Sequence, residues 1–227
     1  MMIKKHIPNT ITLGNLACGC IGLVACYNGD LKMASYMIWL AAFLDFLDGF
    51  IARLLKVSSP IGKELDSLTD MVTFGLLPSF ILFTMLNETT SSLWPYVAFV
   101  LALFSALRLA KFNVDTRQAN GFIGMPTPAA AFFVSGLAFW PSQNIVFHSF
   151  EGLFIISLLL SLLLVAPMPM LALKFKDFSF KNNFYRYLVV ILSAILLAIL
   201  GFRSFPIIII SYLALSLLAL LANKTQQ

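Results

Sequence analysis

Apolar residues run along this chain in blocks about as long as a bilayer is thick, and polar residues collect in the gaps between them. Eight blocks stand out, near residues 11–28, 33–55, 66–86, 93–112, 127–147, 151–173, 185–202 and 205–222. Each comes close to the roughly 20 apolar residues that carry an α-helix across hydrocarbon, so the pattern predicts an all-α bundle of eight transmembrane helices. Pro8, Pro60, Pro126 and Pro128 fall near predicted helix starts, where a missing N–H costs least. Pro167 and Pro169 fall inside the sixth block and should kink it or end it early. Residues 201–206 leave room only for a tight turn, so the last two blocks predict a helical hairpin. No repeat or linker stands out. The expectation is a single domain, with a six-helix core over 1–175 and the hairpin over 176–227.

Composition agrees with lipid as the solvent. Of the 227 residues 60% are hydrophobic and 11% charged, and the mean hydropathy is +0.92, more apolar surface than a soluble domain of this length can hide. The net charge of +5 would raise nucleic acid as a partner in a soluble chain. Here most basic residues flank apolar blocks, so orientation and contact with lipid headgroups explain them, and no nucleic acid is expected. Placed by the alternation of eight helices, Lys4, Lys5, Arg53, Lys56, Lys63, Arg108, Lys111, Arg117, Lys174, Lys176, Lys181, Arg186 and Lys224 share one side, with Lys32 and Arg203 opposite. By the positive-inside tendency both termini should be cytoplasmic, in a multi-pass protein of the cell (inner) membrane. The basic start shows no cleavage pattern, so no removable leader is expected. Cys18, Cys20 and Cys26 all lie in the first block and read as small packing residues. Trp39, Trp94 and Trp140 read as belt anchors.

Candidate chemistry concentrates where the second and third blocks meet. The sequence runs Asp45-Phe-Leu-Asp48-Gly49-Phe-Ile-Ala52-Arg53, then eight residues, then Gly62-Lys-Glu-Leu-Asp66-Ser-Leu-Thr-Asp70. Spacings of three and four put each aspartate pair on one helical face, and a short turn over Ser58, Ser59 and Pro60 brings the helices side by side. Four converging carboxylates repel strongly at low dielectric unless a cation neutralises them. Oxygen-only ligands point to a hard ion, Mg2+ or Mn2+. Two ions sharing Asp45, Asp48, Asp66 and Asp70 would suit an in-line displacement at phosphorus. The other readings are a solvated charge set and an aspartate-lined cation pathway. A transporter would more commonly show broken helices in two repeat halves, and none is visible. Gly49 and Ala52 leave room for a group to approach the backbone, or are ordinary small-residue helix packing.

The pattern Asp-x2-Asp-Gly-x2-Ala-Arg-x8-Gly-x3-Asp-x3-Asp resembles, at all eight fixed positions, the signature of the CDP-alcohol phosphotransferases. The resemblance implies a helical bundle, commonly a homodimer, with an active site open to the cytoplasmic leaflet. It implies that Asp45, Asp48, Asp66 and Asp70 hold metal, that Gly49, Ala52 and Arg53 surround the CDP group, and that Asp70 is the general base. Three more stretches resemble the phosphatidylserine synthase branch. They are Ile7-Pro8-Asn9-Thr-Ile-Thr12-Leu-Gly14-Asn15-Leu with Gly19, Phe74-Gly75-Leu-Leu-Pro78-Ser79, and Arg108-Leu-Ala-Lys111-Phe-Asn113 followed by Phe122-Ile-Gly124-Met-Pro126-Thr-Pro128. Within that resemblance the CDP-binding set is Asn9, Thr12, Asp48, Gly49, Ala52, Arg53 and Gly62. The last two helices carry no such motif.

The implied substrates are CDP-diacylglycerol and L-serine, with membrane lipid around them. Serine's carboxylate needs a cation, which Arg108 and Lys111 can supply; both can equally be positive-inside anchors. Asn113 and Asn15 are candidate serine contacts or helix caps. Gly121, Gly124, Pro126 and Pro128 suggest a rigid re-entry beside the site, or simple loop punctuation. Glycerol phosphate, inositol phosphate or an aminoalcohol stays open as acceptor, and an ether lipid as donor.

Overall fold

The computed structural model describes residues 2–115, 122–171 and 179–224. Arg117, Gly121, Lys174 and Lys176 lie outside the described residues, as do the side chains of Lys4, Lys5, Lys181 and Lys224. Among the described residues eight helices exceed ten residues: α1 (Met2–Tyr27), α2 (Leu31–Leu54), α3 (Pro60–Asn87), α4 (Trp94–Val114), α5 (Thr127–Leu137), α6 (Phe150–Val165), α7 (Phe180–Leu200) and α8 (Phe205–Lys224). His6–Tyr27, Pro60–Asn87, Trp94–Val114 and Asn183–Leu221 are long and apolar enough to cross a membrane, the last of them comprising most of the C-terminal hairpin.

Element boundaries depart from expectation where capping decides them. α3 starts at Pro60 because Ser59 caps it, its Oγ accepting the Gly62 N–H at 3.0 Å, and because proline suits the first turn. That early start puts Gly62, Asp66 and Asp70 at successive turns of one helix. α2 starts after Asp30, whose side chain accepts the Met33 N–H, and it ends with Lys56 in the left-handed region (φ 53°). The Val57 N–H then bonds back to the Ala52 carbonyl, the closure that glycine more often provides. α1 begins well before residue 11 and carries Pro8 within it. A proline so near a helix start frees a carbonyl in a region that headgroups and water can reach. The fifth block, expected over 127–147, is helical only over Thr127–Leu137, followed by a turn through Pro141 and a single helical turn at Ile145–His148. α6 stops at Val165, two residues before Pro167, the early end that Pro167 and Pro169 implied.

Within α3 the residues Met71–Leu76 form a π-helical segment, in which the Leu77 N–H reaches back to the Val72 carbonyl. Pro78 follows directly, and a proline can neither donate to nor clear the carbonyl four residues before it. α1 and α3 lie parallel in register. A Cβ on Gly62 would meet the Asn9 side chain at 3.1 Å, one on Gly19 the Thr73 side chain, and one on Gly22 the Leu77 side chain. Small residues thus bring these helices close, as is common in membranes. The core between α1, α2, α3, α5 and α6 is built from Ile38, Phe74, Leu77, Ile81, Leu82, Leu137 and Leu164, all buried.

An addition the pattern did not predict is a two-residue antiparallel pairing of β1 (Phe122–Ile123) with β2 (Pro169–Met170). The tryptophans are also more than belt anchors. Trp39 Nε1 donates to Ser135 Oγ at 2.8 Å within a cluster of Tyr36, Phe139, Phe202 and Phe205. Trp140 Nε1 donates to the Arg203 carbonyl, and Arg203 Nε to the Phe139 carbonyl. These contacts tie the C-terminal hairpin to α2 and α5 at the end of the bundle away from the aspartates.

Candidate active site

α2 and α3 bring three of the four aspartates, Asp45, Asp48 and Asp66, into one cluster. One oxygen from each of Asp45, Asp48 and Asp66 lies within 4.8 Å of the others, and the Asp45 and Asp66 carboxyls are within hydrogen-bonding reach. Thr12 reaches across from α1, its hydroxyl placed between the Pro8 carbonyl at 3.0 Å and Asp48 Oδ2 at 2.5 Å. Asp70 lies one turn deeper and is felt electrostatically by all three other aspartates and by Arg108. Its Oδ1 is buried without a hydrogen-bond partner. A buried carboxylate oxygen with no donor is costly, and so is a group of four acidic side chains with no cation among them. A donor set made only of carboxylate oxygens, one of them unpartnered, fits a hard divalent ion.

Beside the cluster opens a cavity of about 240 Å³, lined among others by Asn9, Thr12, Asp48, Gly49, Ala52 and Gly62. Six of the residues expected around CDP therefore meet in one place. The seventh, Arg53, is exposed, and its guanidinium lies 3.8 Å from where a Cβ on Gly49 would stand. Pro8, Val57, Ser58, Ser59 and Lys63 also line this cavity, a place the sequence reading did not give them. The signal for most of them was positional, since they fall inside or beside the eight-residue gap of the signature.

A second cavity, of about 390 Å³, lies between α4 and the end of α6. Its lining comprises Arg108, Lys111, Val114, Asp115, Ile123, Leu164, Val165 and Pro167. Arg108 is only 7% exposed. It donates to Thr127 Oγ1 at 2.9 Å, stands over the Phe112 ring, and leaves Nε without a partner. Arg108 and Lys111 thus share one cavity, whereas Asn113 and Asn15 line neither cavity. Asn113 Nδ2 donates to Ser67 Oγ at 2.8 Å, and its carbonyl accepts from Lys63 Nζ at 3.0 Å, which ties α4 to α3. Asn15 is fully buried with both amide atoms unpartnered, as is the Thr69 hydroxyl.

A family model described as CDP-alcohol phosphatidyltransferase matches residues 5–167. The chain is 37% identical over 135 residues to the CDP-diacylglycerol–serine O-phosphatidyltransferase of Bacillus subtilis (strain 168), covering 60% of this chain and 76% of that one. Proteins with the same designation match from Helicobacter pylori (strain J99), 35% identical over 56% of this chain and 54% of theirs, and from Saccharomyces cerevisiae, 34% identical over 66% and 59%. The chain thus spans a little over half the length of these last two relatives. Its apolar helices and these relatives mark it as an integral membrane protein. Because the family match takes in all four aspartates and the lining of both cavities, the chain belongs to the CDP-alcohol phosphatidyltransferase family.

Proposed function

We propose that the chain transfers the phosphatidyl group of CDP-diacylglycerol to L-serine, giving phosphatidylserine and CMP. The observation that carries this reading is the position of Asp70, within electrostatic reach of both the aspartate cluster and the cation of the second cavity. The acceptor's identity draws on the relatives, whose designations name serine.

In this reading the nucleotide occupies the first cavity, against Asn9, Thr12, Gly49, Ala52 and Gly62, with Arg53 at its edge. The acyl chains stay in the bilayer. Two divalent ions, Mg2+ or Mn2+, held by Asp45, Asp48, Asp66 and Asp70, would neutralise the pyrophosphate and the leaving group. Arg108 and Lys111 hold the serine carboxylate in the second cavity, while Asn113, outside it, acts only by bracing α4 against α3, and Asn15, which lines neither cavity, has no direct contact with serine in this reading. Asp70 accepts the serine hydroxyl proton. The serine oxygen bonds to the lipid-side phosphorus as the bond from that phosphorus to the CMP oxygen breaks. Transfer is direct, since no Ser-His pair or other activated nucleophile stands out in the sequence. The six-helix core carries this chemistry, the site opens to the cytoplasm, and two copies associate as a homodimer.

One observation favours a second acceptor class. Two cations on one cavity would also suit a phosphorylated alcohol such as glycerol phosphate or inositol phosphate. Purified protein in liposomes with CDP-diacylglycerol decides between them. CMP release is expected on adding serine with Mg2+ or Mn2+, and not on adding glycerol phosphate or inositol phosphate. EDTA should abolish it. Full activity in chelator, or release dependent on a phosphorylated alcohol instead of serine, would overturn the reading.

A further inference from the structure

The C-terminal hairpin lies beyond the matched residues 5–167 and carries none of the recognised motifs, yet it grips one wall of the second cavity. That wall is a backbone clasp. The Gly124 N–H donates to the Met168 carbonyl at 2.8 Å and the Met125 N–H to the Leu163 carbonyl at 2.9 Å, while Phe122 and Ile123 pair with Met170 and Pro169. Gly124 takes φ 80°, and a Cβ there would run into the Leu164 carbonyl, so the two segments lie as close as backbone permits. Ile123, Leu164, Val165 and Pro167 of this clasp face the cavity that holds Arg108 and Lys111.

The far end of the clasp is held by α8. Tyr212 donates its hydroxyl proton to the Leu171 carbonyl at 3.0 Å, and the Leu171 N–H donates to Ser216 Oγ at 3.3 Å. Both backbone groups of one residue are thereby satisfied by two side chains of the hairpin, which are 7% and 1% exposed. Met170 packs beside them against Val189, Tyr212 and Leu215. An unpaired backbone group in an apolar bundle has no water to turn to, so these side chains fix where residue 171 stands. They fix with it the segment 167–171, whose other side is paired with Phe122, Ile123 and Gly124. Tyr212 also lies within electrostatic reach of Arg108.

We propose that the C-terminal hairpin is an acceptor-selectivity element, in which Tyr212 and Ser216 are positioning residues that hold 167–171 as a fixed wall of the cavity around Arg108 and Lys111. Held so, the wall limits how far the cavity around Arg108 and Lys111 can widen to take a longer alcohol. The proposal rests on the reading of this cavity as the acceptor site.

The test uses the full chain in liposomes, with KM for serine and for CDP-diacylglycerol, kcat, and the relative rate with the longer homoserine. Tyr212→Phe and Ser216→Ala should each raise serine KM about three- to tenfold, the scale of one lost hydrogen bond. CDP-diacylglycerol KM and kcat should stay within about twofold, and homoserine should gain relative to serine. Ser216→Thr, which keeps a hydroxyl, should restore the serine KM. A parallel rise in both KM values, or a lowered unfolding temperature with serine KM unchanged, makes the hairpin merely structural and overturns the proposal. Arg108→Gln separates the two layers. If it raises serine KM while Tyr212→Phe does not, the hairpin role falls and the acceptor reading stands. If it leaves serine KM unchanged, the cavity is not the acceptor site and both fall.

Discussion

Asp66 is the side chain on which α3 and α2 converge, since its carboxyl contacts Asp45 while sharing a helical face with Asp70. Asp66→Asn keeps the shape and removes a charge from the proposed ligand set. Metal stabilisation of a phosphoryl transition state is worth several kcal/mol, and each 1.36 kcal/mol is tenfold in rate. The expected loss in kcat is therefore at least about a hundredfold, with an unchanged unfolding profile and weakened Mn2+ binding by titration calorimetry. Wild-type Mn2+ affinity in this variant would remove Asp66 from the ligand set. The aspartates were legible in the sequence because helical periodicity fixes their faces once two helices are granted. The tie of Asn113 to Ser67 and Lys63 was not, because it depends on how closely α4 approaches α3. No local spacing encodes that distance.

Between elements, the distance from Asp70 to Arg108 depends on the fit of α3 against α4. Gly75, within the π-helical segment, sets that fit. A Cβ there would stand 2.9 Å from Ser105 Cβ and 3.1 Å from Met71 Sδ, and Ser105 is itself fully buried. Gly75→Ala should push the two helices apart at an overpacking cost of about 1–3 kcal/mol. It should lower both the unfolding midpoint and kcat, because Asp70 and Arg108 sit on the separated helices. Ser105→Gly, which removes the opposing Cβ, should rescue both in the double variant; a doubly substituted protein no better than Gly75→Ala would place the strain elsewhere. The existence of the helices was plain from apolar block length. Pro167 and Pro169 gave away the early end of α6, but most other ends were hidden, because caps such as Ser59 and breaks such as that after Leu137 are decided by single residues. The β1–β2 pairing was invisible in the sequence, since two short segments about 45 residues apart carry no period.

Across the whole molecule the two ends of the bundle differ in chemistry. Arg53, Lys56, Lys63, Arg108 and Lys111 accompany the aspartates, whereas the opposite end carries Arg203 and the aromatic cluster of Trp39, Phe139, Phe202 and Phe205. Cationic residues favour the cytoplasmic face. In the proposed reaction free serine and released CMP are water-soluble, so the proposal puts the site's end of the bundle in the cytoplasm, where both can be supplied and cleared. Cysteine labelling tests the orientation. In a background with Cys18→Ala, Cys20→Ala and Cys26→Ala, a membrane-impermeant maleimide should leave Lys56→Cys unlabelled in intact cells and label it in inside-out vesicles. Gln143→Cys, in the turn before Ile145–His148, should label in intact cells. Labelling both positions from the same side would break the alternation of helices between them, and labelling Lys56→Cys from outside would invert the bundle and cut the site off from its substrates.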